Sequence, residues 1–345
     1  MLRPQKKSRR KVASIERKTF VSEILSRIAP RIGAKVFLEP DYGFVGEITF
    51  TNGKRVLFRD RNFNINPQGS SEIARDKGYA DFFLKHYGYN TVEGQTFFSE
   101  KLNDRLEIRR TIDDGFQYAK TLGLPVILKP NNLSQGTLVT KVHNKREYYL
   151  AAKKILKRTP VMLVQRFYSG NDYRLVVLDN EVISAYQRTA LFVVGDGKST
   201  VTELLKLKQR NFVKLGRDTE IDADDFRIRL KLLKMRLTCQ SVPTLGAKVV
   251  LLDNANLSTG GDAFDVSAKV HPDFCRLAVT ITKDMGLRMC GVDIITGDIK
   301  TTLDRYVVIE INSAPGLDNY ASIGAKQRER VDELYLRVLQ ALETS

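Results

Sequence analysis

Near the C-terminal end, two apolar stretches interrupted by acids restrict the fold of this chain more than any other feature. Tyr306 to Asn312 reads YVVIEIN, an alternation that places Val307, Ile309 and Ile311 on one face of a strand. Glu310 and Asn312 then share the opposite face. Upstream, Gly291-Val292-Asp293-Ile294-Ile295 reads as a second short buried strand with one carboxylate, and a hairpin through Thr296 to Arg305 lays the two side by side. Asp293, Glu310 and the amide oxygen of Asn312 form a hard oxygen set, which suits Mg²⁺ held together with phosphate oxygens. An ordinary edge strand with a solvated face would carry the same residues, so this pattern alone leaves both readings open.

At 345 residues the chain exceeds one typical domain. A hydrophobic content of 42% with 28% charged residues is ordinary for a globular protein. No apolar run is long enough to span a bilayer, and the basic start lacks the apolar core of a secretory signal. Cys239, Cys275 and Cys290 have no ligand spacing, which argues for reduced thiols and a cytoplasmic protein. His86, His143 and His271 are scattered, against a histidine metal site or a nucleophilic triad. The net charge of +16 favours anionic partners, but no nucleic-acid motif accompanies it, so nucleic acid and membrane are not expected partners. Basic residues crowd positions 1–18, read as a disordered arm, and again Lys206 to Arg236. There Arg227, Arg229, Lys231 and Lys234 read as the wet face of a helix.

The expected organisation is α+β. Residues 19–71 form a small lobe: a helix over Phe20–Ile32, a strand at Lys35–Leu38, and a hairpin turning at Asn52-Gly53, the strongest short hairpin signal. Asn64 to Ser71 is turn chemistry and marks the boundary, with the main domain spanning 72–345. In that domain Ile73–Tyr87 and Thr111–Leu122 read as helices, the latter closed by Gly123. Pro125–Pro130 is a buried strand ending in Lys129, and Asn131–Thr137 is a small-polar loop. Met162–Gln165 is a strand, and Tyr173–Leu178 pairs with Glu181–Tyr186 across Asp179-Asn180.

A lysine where a strand meets such a loop can set an ammonium beside backbone N–H groups that take phosphate oxygens, although a lone strand-end lysine is commonly just solvated. The order is more informative: Lys77, then strand–loop–strand with Lys129, then the Gln165 strand, then Asp293 and Glu310-x-Asn312. That order resembles the ATP-grasp fold, in which two α+β subdomains clamp ATP. Val194-Gly195-Asp196-Gly197, Thr200–Leu205, Ser241-Val242-Pro243 and Asn254–Gly261 are similar to the ATP-grasp part of cyanophycin synthetases and glutathione synthetase-like ligases. The resemblance covers Glu72 to the C-terminus.

The resemblance implies an ATP-dependent carboxylate–amine ligase that forms an amide through an acyl phosphate and releases ADP and phosphate. It implies Lys77, Lys129, Ser134, Gln135, Gly136, Gln165, Arg166, Phe167, Tyr168 and Asp172 around ATP. Arg188, Lys129 and Arg174 fall in catalytic positions, and Asn256, Ser258, Thr259, Gly260 and Gly261 on the substrate side. Asp293, Glu310 and Asn312 match the metal ligands, with two Mg²⁺ ions expected, or Mn²⁺ in their place. Implied partners are an amino-acid or peptide carboxylate and an amine, with a homo-oligomer left open. Cyanophycin synthetases carry a further Mur-type ligase module not found in this sequence, so a stand-alone ligase is expected. Two alternatives remain: a ligase that modifies a ribosomal peptide, and an inactive nucleotide-binding scaffold recruiting an acidic partner.

Overall fold

A computed structural model describes residues 19–106, 109–217 and 219–344; the arm expected over residues 1–18 lies outside them. The described residues divide into two compact units, one up to Asn64 together with those from Tyr335 onward, the other Ile65–Leu334. Among the described residues no helix is long and apolar enough to cross a membrane.

In the first unit, the helix Phe20–Ile28 starts at Thr19, whose hydroxyl accepts from the Ser22 N–H, and tightens into a 3-10 turn, Ala29–Ile32. Three antiparallel strands follow: β1 (Lys35–Leu38), β2 (Val45–Thr49) and β3 (Arg55–Arg59). The Asn-Gly turn joins β2 to β3, with Gly53 at φ +83°.

The second unit opens with a departure from expectation. The turn-rich stretch 64–71 already contains the start of a helix, Gln68–Arg75, behind Pro67. The single helix expected over Ile73–Tyr87 is two, Gln68–Arg75 and Lys77–His86, broken at Asp76. Asp76 has an extended backbone, and its carboxylate accepts from the Tyr79 N–H, capping the second helix. Asn131 holds the break: its Nδ2 donates to Asp76 at 2.6 Å and its Oδ1 accepts from the Gly78 N–H at 2.9 Å. Lys77 is thereby fixed at a helix start.

Strands β4 (Gly94–Phe98), β5 (Val126–Pro130), β6 (Thr140–Val142) and β7 (Val161–Arg166) form an antiparallel sheet in the order β4-β7-β5-β6. The helices Ile112–Leu122 and Lys145–Leu156 cover one face, burying Phe116, Ala119, Tyr148 and Ile155 against Val126, Leu128 and Val164. The first of these helices begins in a reciprocal Thr111–Asp114 capping box.

The chain continues through β8 (Asn171–Leu178), β9 (Glu181–Thr189), the short pair β10 (Phe192–Val194) and β11 (Lys248–Val250), then β12 (Asp262–Asp265), β13 (Met289–Thr296) and β14 (Tyr306–Asn312). A five-stranded sheet runs β12-β9-β8-β13-β14, all antiparallel. Tyr173, Leu175 and Val177 of β8 and Cys290, Val292 and Ile294 of β13 point to one face. The helix Pro272–Asp284 buries Phe274, Ala278 and Ile281 there. The other face carries the charged residues. Residues 190–261 leave this sheet between β9 and β12 and build a separate small core from Leu191, Val201, Leu204, Leu205, Ile228, Leu232 and Leu251.

β13 and β14 pair as expected, but not in strict alternation. Asp293 faces Glu310 while Ile294 faces Val308, so Ile309 is an extra residue in a bulge. The bulge turns Val308 and Ile311 into the core, in place of the expected Val307, Ile309 and Ile311 set, and leaves Ile309 beside Glu310 on the open side.

Candidate functional site

The open face of the five-stranded sheet and the ends of the four-stranded sheet enclose a cleft of about 440 Å³. The site is a row of charge running across neighbouring strands. Arg188 of β9 sits opposite Asp172 of β8, Arg174 of β8 opposite Asp293 of β13, and Asp293 opposite Glu310 of β14. Arg174 grips Asp293 with two bonds of 2.6 Å, Nε to Oδ1 and Nη2 to Oδ2. Arg188 reaches Asp172 at 2.6 Å and Asp293 at 2.9 Å. Such forked pairs hold both partners in one geometry. Gly291, two residues before Asp293, lies against Pro315, which an added Cβ would meet at 3.0 Å, while the Arg174 side chain would be met at an ordinary contact distance of 3.6 Å.

Glu310 is held more loosely. Its oxygens stand 3.8 Å from Arg174 Nη2 and 3.8 Å from Lys77 Nζ, beyond hydrogen-bond reach. Burial raises its pKa, but Lys77, Lys129, Arg174 and Arg188 outweigh this and hold it at about 2, so the carboxylate is ionised and available. Burial draws the Lys129 ammonium down to about 8 against the pull of Glu310, with Lys77 adding to the fall. Asp172 is pushed up, first by burial and then by Asp293, with Arg188 opposing.

Opposite the charged row lies the loop between β5 and β6. Among the described residues, the backbone N–H groups of Ser134, Gln135 and Gly136 find no partner. Lys77 Nζ donates to the Leu133 carbonyl at 2.8 Å at the foot of this loop. Three free N–H groups lie in the same cleft as Lys77 and Lys129, a gathering of donors and positive charge whose chemistry suits an anion. At the far end of the cleft, Gln165, Arg166, Phe167 and Tyr168 lead out of β7. The Arg166 side chain turns away, to Glu93 at 2.8 Å and the Leu122 carbonyl at 2.7 Å, so the segment presents its backbone and Phe167 to the cleft.

The cleft thus gathers Lys77, Lys129, Ser134, Gln135, Gly136, Gln165, Arg166, Phe167, Tyr168, Asp172, Arg188, Asn256, Asp293 and Glu310. Arg174 acts from behind, through Asp293. Asn312 lies beyond Glu310 on the same strand face, opposite Gly291. Its Nδ2 is buried without a hydrogen-bond partner, and a half-turn of the amide would present the oxygen there instead. Ser258 and Thr259 line a second cavity, of about 390 Å³. Gly260 and Gly261 line neither. Gly260 takes φ +96°, and a Cβ on Gly261 would meet the Thr189 carbonyl at 2.3 Å, so both answer to backbone geometry.

Sequence reasoning missed Lys141, Gln187 and Asn254, which also line the cleft. Lys141 places its Nζ 3.3 Å from the Phe167 ring centroid. Its signal was present, since β6 alternation sets Lys141 opposite Ile127, in the same row as Gln165. The helix Phe226–Lys234 is likewise not wet where expected. Arg227 is nearly buried, Lys231 pairs with Asp253, and Lys234 bonds Glu147 at 2.8 Å; Arg229 and Lys234 are the exposed pair of the four.

Among the described residues no three His, Cys, Asp or Glu side chains converge as a metal centre. Glu310, Asp293 and the Asn312 amide nonetheless fit a cation that takes most of its ligands from phosphate and water, as Mg²⁺ does. Asp293 would then share its oxygens between that ion and two arginines.

Residues 83–196 match the D-ala D-ala ligase C-terminus family, and residues 253–330 match the RimK-like ATP-grasp domain family. Over 258 residues, 71% of this chain and 28% of the relative, the chain is 32% identical to a cyanophycin synthetase of Crocosphaera subtropica. It is 34% identical over 212 residues to the glutathione biosynthesis bifunctional protein GshAB of Mannheimia succiniciproducens, covering 56% of this chain and 27% of that protein. The chain therefore spans about a quarter of the length of these curated relatives. Among solved structures, a bifunctional glutathione synthetase from Pasteurella multocida superposes with a TM-score of 0.58 at 24% identity, over 93% of this chain and 44% of that one.

Proposed function

We propose that this chain, which carries the ATP-grasp fold, is an ATP-dependent carboxylate–amine ligase. One observation carries the reading: two fixed lysines and three free N–H groups face an ionised Glu310 and a doubly clamped Asp293 across one cleft. That arrangement suits the triphosphate of a nucleotide, because phosphoryl transfer needs positioning and charge neutralisation and no protein nucleophile. Ser134, Gln135 and Gly136 would bind the phosphates through their backbones, with Lys77 and Lys129 as point charges. The backbone after Gln165, whose Phe167 and Tyr168 N–H groups find no partner among the described residues, would take the base. Mg²⁺ bound by Glu310, Asn312 and Asp293 would neutralise charge on the terminal phosphates.

In the reaction, a substrate carboxylate oxygen attacks the γ-phosphorus, and the bond from that phosphorus to the β-γ bridging oxygen breaks, releasing ADP. An amine then attacks the acyl carbon, and phosphate leaves with the carboxylate oxygen. Arg188, buried in the charged row, would steady the acyl phosphate, and Asn256, which lines the same cleft, would contact the substrate. The substrates belong to the amino-acid or peptide class handled by the similar proteins.

The test uses ATP, Mg²⁺ and a panel of amino-acid and peptide carboxylates labelled with ¹⁸O. Label in the released phosphate, with hydroxamate formed when hydroxylamine is added, is the expected result. Label in AMP, with pyrophosphate released, would overturn the mechanism. Nucleotide binding without turnover of any carboxylate would favour a scaffold instead.

A further inference from the structure

The loop over the cleft is not left to itself. Between Pro130 and Thr140 it bends through left-handed backbone at Gln135 (φ +60°), Gly136 (φ +66°) and Leu138 (φ +57°), two of which are not glycine. Such conformations persist only where surrounding structure imposes them. Two contacts do so here, both from residues 190–261. Gly136 is pressed against Asn254 and Asn256, since a Cβ on it would lie 2.4 Å from Asn254 Nδ2. Arg227 Nη1 donates to the Gly136 carbonyl at 2.8 Å and to the Val139 carbonyl at 3.0 Å. The rest of that guanidinium is committed to Asp225, which accepts from Nη2 at 2.6 Å and Nε at 2.9 Å. The pair is nearly buried, with side chains 9% and 14% exposed. The helix carrying Arg227 is anchored by Ile228 and Leu232 in its own core and by Lys234 on Glu147.

We propose that Arg227 is a positioning residue of the nucleotide cleft, a latch that fixes the Ser134–Gly136 N–H groups in binding geometry before any ligand arrives. Asp225 aims it. The inference rests on the nucleotide reading of the cleft for its purpose, but not for its structural content. A guanidinium suits the task because one terminal nitrogen can hold two carbonyls while the fork of the other two keeps a carboxylate; an ammonium cannot do both. Pre-organisation of this kind lowers the ordering cost of binding.

The full chain and its Arg227→Met and Asp225→Asn variants would be compared by amide hydrogen exchange without nucleotide, and by titration with Mg²⁺–ATP. The expected result is exchange at least tenfold faster within residues 131–139 in Arg227→Met, unchanged exchange in the helix Pro272–Asp284, and a Kd for ATP raised about tenfold. Asp225→Asn should fall between parent and Arg227→Met. The KM for the carboxylate should not move. Loop exchange equal to the parent's overturns the latch, as does faster exchange throughout the unit, which marks a merely structural role. A looser loop with unchanged ATP affinity overturns the positioning role. If the parent binds no nucleotide, the ligase reading falls, while the exchange comparison still decides the latch.

Discussion

Glu310 and Lys129 are neighbours with opposite electrostatic histories, and their variants should part company accordingly. Glu310 is ionised with room around it, so Glu310→Gln removes a charge without leaving a broken hydrogen bond behind. Ligation should fall at least a hundredfold in steady-state assays, with the thermal midpoint within a few degrees of the parent. Lys129 is the reverse case. Its pKa is drawn from 10.5 to about 8, so below pH 8 the folded state holds a proton at a cost. Stability from this group rises as pH climbs from about 8 towards 10.5, where the unfolded chain alone keeps the proton. Lys129→Met removes a burden on the order of 3 kcal/mol at neutral pH, so urea unfolding at pH 7 should show a more stable protein that scarcely binds ATP. In the parent, ATP affinity measured by titration should weaken between pH 7 and 9 as Lys129 loses its proton. Both residues were legible in the sequence because charges at strand positions among Val, Ile and Leu demand a reason. The Arg174–Asp293 clamp was not legible as a contact: its partners lie 119 positions apart, and only the β8–β13 register joins them.

At the scale of elements, the breaks were harder to read than the elements. Ile73–Tyr87 looked continuous because Asp76-Lys77-Gly78 sits inside an otherwise helical pattern; the break depends on Asn131, far along the chain. Asn131→Ala should cost about 1–3 kcal/mol in urea unfolding, since it strands the Gly78 N–H and one Asp76 oxygen. It should raise the KM for ATP more than it lowers kcat, because Lys77 loses its mooring. The Ile309 bulge has no sequence signature either. It follows from pairing Asp293 with Glu310 while burying both Val308 and Ile311, a compromise invisible in one strand alone. The Asn52-Gly53 hairpin, the Thr111 box and the Gly123 stop were readable because their causes are local. Arg227 was misread for the opposite reason: its helix alternates like a surface helix, and the loop it meets lies 91 residues earlier.

On the whole-molecule scale, the cleft has one wall made by the sheets and another delivered by residues 190–261. These leave and return at β9 and β12, where Thr189 stands directly opposite Asp262 in the ladder. The excursion of about seventy residues therefore begins and ends at a single rung, with its own core inside. Replacing 190–261 with the equivalent segment of a similar ligase should leave the five-stranded sheet folded and nucleotide binding measurable. The preferred carboxylate should follow the donor, as read from phosphate release across the substrate panel. Heredity could use the same seam. A gene that exchanged this cassette would replace one wall of the cleft, the Arg227 contact included, while the rungs of the five-stranded sheet on either side kept their register.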